Sequence, residues 1–203
     1  MRPSFKLIAS AVSLAALPSL ALAESDIVSG AGTASAKLDF QITIPRVLFL
    51  QVGTGTFGVD GSTVDKIDFA PTATDVINAT TPISGTGGDL TGGAVTARLF
   101  GNNGQVSLTS STLGALNNGG SDTISWSQIS TTVTPISGTT LAHPTLADTG
   151  TPSVNPTINI GTKVTNLQST WTYAYLNPAT AAAGTYGGVN TRNGRVTYTA
   201  AMP

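Results

Sequence analysis

His143 is the only histidine in a chain of 203 residues that has no cysteine, and those two counts remove most metal and nucleophile chemistry. A zinc site draws on several imidazole, thiolate or carboxylate ligands around one ion. A Ser-His-Asp triad occurs in several chain orders on unrelated folds. No Gly-x-Ser-x-Gly elbow accompanies His143, however, and as the residue before Pro144 it reads as an exposed loop position. Gly53-Thr54-Gly55-Thr56-Phe57-Gly58 spells the dinucleotide-binding pattern after an apolar strand. That pattern works only where a helix N-terminus follows to face the pyrophosphate. Here Asp60-Gly61-Ser62-Thr63 follows, so the run reads as a glycine-rich loop. Gly87-Gly88-Asp89-Leu90-Thr91-Gly92-Gly93 is one copy of a turn that binds calcium when stacked in several copies, and Asp60, Asp65, Asp68 and Asp75 precede it without a ligand spacing. One copy supplies too few oxygens for the shell of about six to eight that calcium takes. The expectation is no metal, no cofactor, no catalytic residue and no enzyme activity.

Trp171, Tyr173 and Tyr175 alternate, so they share one face of a strand. Such a stripe suits a stacking platform for a sugar, and it equally suits a core, where aromatic rings bury their large area. Thr172, Ala174 and Leu176 on the other face are hardly more polar, which leaves both readings open.

The N-terminus carries an address. Arg2 and Lys6 precede an uncharged apolar run from Leu7 to Leu17, Pro18 breaks it, and Ala21-Leu22-Ala23 has the small-x-small form of a signal-peptidase site. Residues 1–23 are therefore expected to be a signal peptide. The apolar run would span only about 16 Å as a helix, against a hydrocarbon core of about 30 Å. No later stretch approaches the length of a membrane span. Nine Lys and Arg less Arg2 and Lys6 leave seven against ten Asp and Glu, so the mature chain carries about −3 and has no basic patch for nucleic acid. Charged residues are only 9% of the chain. The abundance of Val, Ile and Thr argues for strands over disorder.

Alternation supplies the elements that would position any site. Leu38, Phe40, Ile42 and Ile44 are separated by Asp39, Gln41 and Thr43, and Pro45 ends the run. Leu48, Leu50 and Val52 alternate again. Further strands are expected at 67–70, 95–100, 106–109, 124–129, 154–160, 167–176 and 195–202. Gly101-Asn102-Asn103-Gly104-Gln105 predicts a β-hairpin between two of them, and Asn193-Gly194 predicts another. Ala179–Ala183 is the one helix-prone stretch, and 71–93 and 135–156 read as long surface connections. The fold class expected is all-β, an antiparallel sandwich of about seven to nine strands over residues 37–203, behind a flexible leader at 24–36.

Three places together resemble the cysteine-free pilins of chaperone–usher fimbriae, alpha class. They are Leu38-Asp39-Phe40-Gln41-Ile42-Thr43-Ile44 running through Pro45 into Arg46-Val47-Leu48-Phe49-Leu50-Gln51, then Ile124-Ser125-Trp126, and lastly Ala183-Gly184-Thr185-Tyr186-Gly187-Gly188 ahead of alternating Val196, Tyr198, Ala200 and Met202. The resemblance implies an immunoglobulin-like sandwich that lacks a strand and takes one from a neighbour, with residues 37–44 as the donor strand; the same strand pattern equally suits a complete sandwich in which Leu38–Ile44 pairs within its own chain. Leu38, Phe40, Ile42 and Ile44 would be its buried side chains. Val196, Tyr198, Ala200 and Met202 would line the acceptor edge, facing a periplasmic chaperone first and a like subunit later, with an usher in assembly. The expected role is an exported structural or adhesive subunit that passes through the periplasm to the cell surface. The alternative is a secreted carbohydrate-binding or biofilm-matrix module whose glycan contact would be the Trp171, Tyr173 and Tyr175 stripe. Val189–Asn193 and the long leader depart from the family pattern.

Overall fold

The computed structural model describes residues 25–156 and 161–203. The signal peptide expected at 1–23, and the end of the strand expected at 154–160, lie outside the described residues. The chain divides into two units between Ile44 and Pro45. In the first, residues 25–44 form neither helix nor strand; the chain bends at 29–32, and Ser35 N donates to Asp26 Oδ2 at 3.2 Å. The sandwich expected from residue 37 therefore starts later, because Pro45 has no amide hydrogen to continue a ladder and Leu38–Ile44 joins no sheet.

The second unit is all-β. Its strands are β1 (Leu48–Val52), β2 (Ile67–Asp68), β3 (Ile83–Ser84), β4 (Thr86–Gly87), β5 (Ala94–Gly101), β6 (Ser107–Ser111), β7 (Leu116–Asn117), β8 (Thr123–Ile124), β9 (Ile129–Ser137), β10 (Ser153–Val154), β11 (Thr165–Tyr175) and β12 (Thr197–Ala201). Five of them make one antiparallel sheet: β1 pairs β5, β5 pairs β11, and β11 pairs both β9 and the short β3. A second sheet has the order β10-β6-β12. Residues paired across strands share a face, so register turns alternation into inward rows. Leu50, Leu99 and Leu167 stand side by side, then Val52, Ala97 and Ser169, and further along Val95, Trp171 and Val133. From the second sheet, Val154, Leu108 and Ala200 form a facing row. Both sets meet in one apolar core.

Several expected elements form differently. The 95–100 and 106–109 strands exist, but they do not pair as a hairpin: β5 and β6 belong to different sheets, and 102–106 carries the chain between them. Gly104 at φ 94° permits the turn without choosing the strands' partners. Arg195 likewise follows an irregular loop, with Gly194 N bonded to Thr191 O at 2.8 Å, and no strand precedes it to make a hairpin. Trp126 does not sit in a strand; β8 stops at Ile124, and Ser125 caps a short 3-10 turn at Trp126–Gln128. The 135–156 segment is no surface connection, since its first residues finish β9 and Leu141, Pro144 and Leu146 are buried. The helix-prone stretch Ala179–Ala183 forms no helix, while α1 (Ala73–Asn78) forms where a connection was expected. Its cause is a capping box, Thr72 with Asp75, closed at the far end by left-handed Ala79. Hydrogen bonds from the Thr72 hydroxyl and amide hold the Asp75 carboxyl below its usual pKa. Among the described residues no helix is long and apolar enough to cross a membrane.

Candidate functional site

Leu38, Phe40, Ile42 and Ile44 are 76%, 86%, 86% and 76% exposed. Single exposed apolar side chains are ordinary on proteins. Four at alternate positions of one unpaired segment are not, because each can gain about 1.5–3 kcal/mol by being covered. The second unit begins at Pro45, and one of its own residues fixes that start. Asn102 Nδ2 donates to Pro45 O at 2.8 Å, Asn102 Oδ1 accepts from Val47 N at 2.8 Å, and Asn102 N donates to Val47 O at 3.3 Å. Asn102→Ala removes both side-chain bonds and is expected to cost about 1 kcal/mol, read as a lower urea midpoint with an unchanged slope.

The second unit has two open sheet edges that face each other. β1 pairs only β5 and β12 pairs only β6. Both strands lie over Gly101 at one end, where a side chain would meet Met202 Sδ at 3.3 Å and Leu48 Cδ1 at 3.6 Å. Pro203 O is held there by Asn103 Nδ2 at 2.7 Å. Toward the other end lies a groove of 310 Å³ lined by Leu50, Val52, Val64 and Arg195 to Tyr198. The two lips thus run antiparallel to each other, so a strand laid between them is antiparallel to one and parallel to the other. Val196, Tyr198, Ala200 and Met202 are half-buried and pack on the core, while Thr197, Thr199 and Ala201 between them are exposed.

Tyr198, which lines the groove, also belongs to a polar triangle. His143 Nε2 is 2.7 Å from Tyr198 Oη and 3.3 Å from Tyr173 Oη, and the two hydroxyls are 3.1 Å apart. The imidazole meets the rings of Trp171, Tyr173 and Tyr198 edge to face, with centroids 4.6, 5.6 and 5.4 Å away. His143 is therefore not the exposed loop residue expected. Its segment is drawn inward by Leu141, whose N donates to Ser169 Oγ at 2.8 Å and whose O accepts from Trp171 Nε1 at 2.9 Å. Burial pushes the imidazole pKa from 6.5 down to about 4 and the Tyr173 phenol up to about 12. The Tyr198 phenol is also raised well above its ordinary value, by burial first and then by Tyr173.

No protein-family model and no curated protein matches this chain. The site rests on its own geometry.

That geometry corrects the glycan reading. Trp171, Tyr173 and Tyr175 are 0%, 8% and 6% exposed, so the stripe faces the core and offers no surface on which a sugar ring could stack. The other motifs also have structural employment. Gln51 Nε2 donates to Gly53 O and Gly55 O at 2.8 and 3.1 Å, Thr54 is tied to the Asp65 carboxylate, and Phe57 packs edge to face on Phe49 and Phe100. Asp89 Oδ1 accepts from Thr96 N at 2.8 Å. Among the described residues no cluster of three or more His, Cys, Asp or Glu could hold a metal. Sequence reasoning missed that Leu141 and His143 turn inward onto Trp171 and Tyr198. The available signal was the density of Leu141, Pro144 and Leu146 in what otherwise reads as a polar loop.

Proposed function

We propose that this chain is an exported structural subunit of a fimbria-like polymer, built by strand complementation between like subunits. One observation carries the reading: a single chain holds both an uncovered arm with four alternate apolar side chains and a groove between two unpaired sheet edges. An extended segment entering such a groove gains a main-chain ladder on its flanks and drops alternate side chains onto the core. The second unit would then be an immunoglobulin-like sandwich short of one strand. Before assembly, a periplasmic chaperone strand would cover the same edge, and an usher would exchange it for a neighbour's arm. The reading includes no catalytic step, cofactor or metal.

Deleting residues 24–44 tests it. Unboiled surface extracts of cells making the full chain are expected to give a ladder of SDS-resistant bands, and cells making the deletion are expected to give none while the shortened subunit stays soluble with its chaperone. A ladder that survives the deletion would defeat the proposal.

A further inference from the structure

An arm able to enter a neighbour's groove could also fold back into its own, and alternation dictates how. Strands joined by a tight loop pair antiparallel, and residues directly opposite each other share a face. Leu48, Leu50 and Val52 are the inward row of β1, so Ile44, Ile42 and Phe40 lie beside them in that order when the loop is Pro45-Arg46-Val47. A loop one residue shorter or longer turns Thr43, Gln41 and Asp39 inward instead.

That three-residue link is the one Asn102 holds straight. Its side-chain amide accepts from Val47 N and donates to Pro45 O, both at 2.8 Å, and its backbone N donates to Val47 O at 3.3 Å. A carbonyl and an amide on either side of Arg46 point the same way when the chain is extended, and residues 45–47 contain neither turn nor bend. Val47 acts in the same direction. The third residue of such a hairpin loop takes a left-handed conformation, which a β-branched side chain resists.

We propose that Asn102 is a straightener that denies the arm its own groove and so commits it to a like neighbour. This deepens the assembly reading and rests on it. With residues 45–47 held, the first loop of correct parity is Ile42-Thr43-Ile44. Leu38, Ala36 and Ala34 then face Leu48, Leu50 and Val52, while Phe40, Ile42 and Ile44 fall short of the groove. Self-closure thus forfeits three of the four large side chains, whereas a neighbour's arm enters without a loop and forfeits none. Covering four apolar side chains and ordering the eight residues that carry them involve free energies of similar size. Bonds of the kind Asn102 makes are therefore enough to decide between self and neighbour.

The experiment follows amide hydrogen exchange at residues 38–44 of the full chain, diluted until it sediments as monomer. Wild type is expected to exchange there at the free-chain rate. Val47→Gly makes the loop permissible at a residue 41% exposed, and the deciding comparison is that variant with and without Asn102→Ala. Losing two side-chain bonds should raise the self-closed population relative to the open one roughly 5- to 150-fold. Arm exchange in the double variant should slow at least about fivefold by the same reckoning, and its oligomers should grow more slowly on concentration. Asn102→Asp keeps the acceptor for Val47 N and loses the donor to Pro45 O, so in the Val47→Gly chain it should fall between. A merely structural Asn102 would speed exchange at the start of β1 and leave the arm unchanged. Equal arm exchange with and without Asn102, or an arm already protected in wild type, overturns the straightener. Should wild type form no oligomers at any concentration, the assembly reading falls, and the comparison on the monomer still judges whether Asn102 keeps the arm out.

Discussion

Replacing Phe40 and Ile42 together by aspartate is expected to weaken association between subunits at least about 1,000-fold, with no change in the thermal unfolding of the unassembled subunit. Both side chains are 86% exposed, so folding loses nothing when they change. Assembly loses a great deal. The four arm side chains together offer roughly 6–12 kcal/mol of transfer energy, against an association cost of about 4–15 kcal/mol. The apolar face is thus needed in full, and the main-chain ladder supplies the surplus. Removing two residues takes away about half of the transfer term, or 3–6 kcal/mol, where about 4 already amounts to a thousandfold. The new carboxylates add a desolvation cost on top.

A complementary lesion sharpens the result. Val196→Arg puts a charge in the groove wall while leaving the arm intact, and Val64→Arg does so at a residue 63% exposed, where folding is least at risk. The aspartate variant can accept but not donate, and the arginine variant can donate but not accept. Each alone is expected to sediment as monomer, and the mixture as a one-to-one dimer that grows no further. Polymers in the mixture, or dimers of either variant alone, would place the interface elsewhere.

How much of this was legible in the sequence depends on the range of the interactions involved. Alternation is a local signal, and it located the central β5 and β11 and the terminal β12, whereas the strand it predicted at Leu38–Ile44 does not form in the single chain. Partner choice is not local. Gly101 to Gln105 allow a sharp reversal, but sheet membership was decided by β1 and β11 flanking β5 and by β10 and β12 flanking β6. A turn fixes backbone angles, and burial decides which edges meet. The six-residue helix α1 escaped because it is too short to show a periodic apolar face, although its Thr72–Asp75 box was written in the sequence. His143 escaped for a different reason. Its loop has no period, and only the pinning of Leu141 to Ser169 and Trp171 turns it inward. The aromatic stripe was legible as one face of a strand, but which way that face looked depended on a second sheet that local pattern does not reveal.

Trp171→Ala should bring the whole second unit close to unfolding. The ring is fully buried in the row between Val95 and Val133, touches His143 and Tyr198, and donates Nε1 to Leu141 O at 2.9 Å. Truncating a buried tryptophan costs about 3–5 kcal/mol, and leaving a buried carbonyl without its donor adds about 1–3. A domain of this kind has only about 5–15 kcal/mol in hand. Trp171→Phe keeps most of the apolar volume and loses the hydrogen bond, so it should fall between the two, with a clear drop in urea midpoint and cooperative unfolding retained. The order wild type, Phe, Ala is what a core position predicts. A sugar platform predicts something else: all three would unfold alike, and only ligand binding would change. Alanine with an unfolding midpoint within error of wild type would show that the ring is not packed as described, and would reopen the surface reading of Trp171, Tyr173 and Tyr175. The Phe variant also bears on assembly. It keeps a ring against Tyr198, so it should still assemble at neutral pH, whereas the Ala variant should lose the groove together with the fold beneath it.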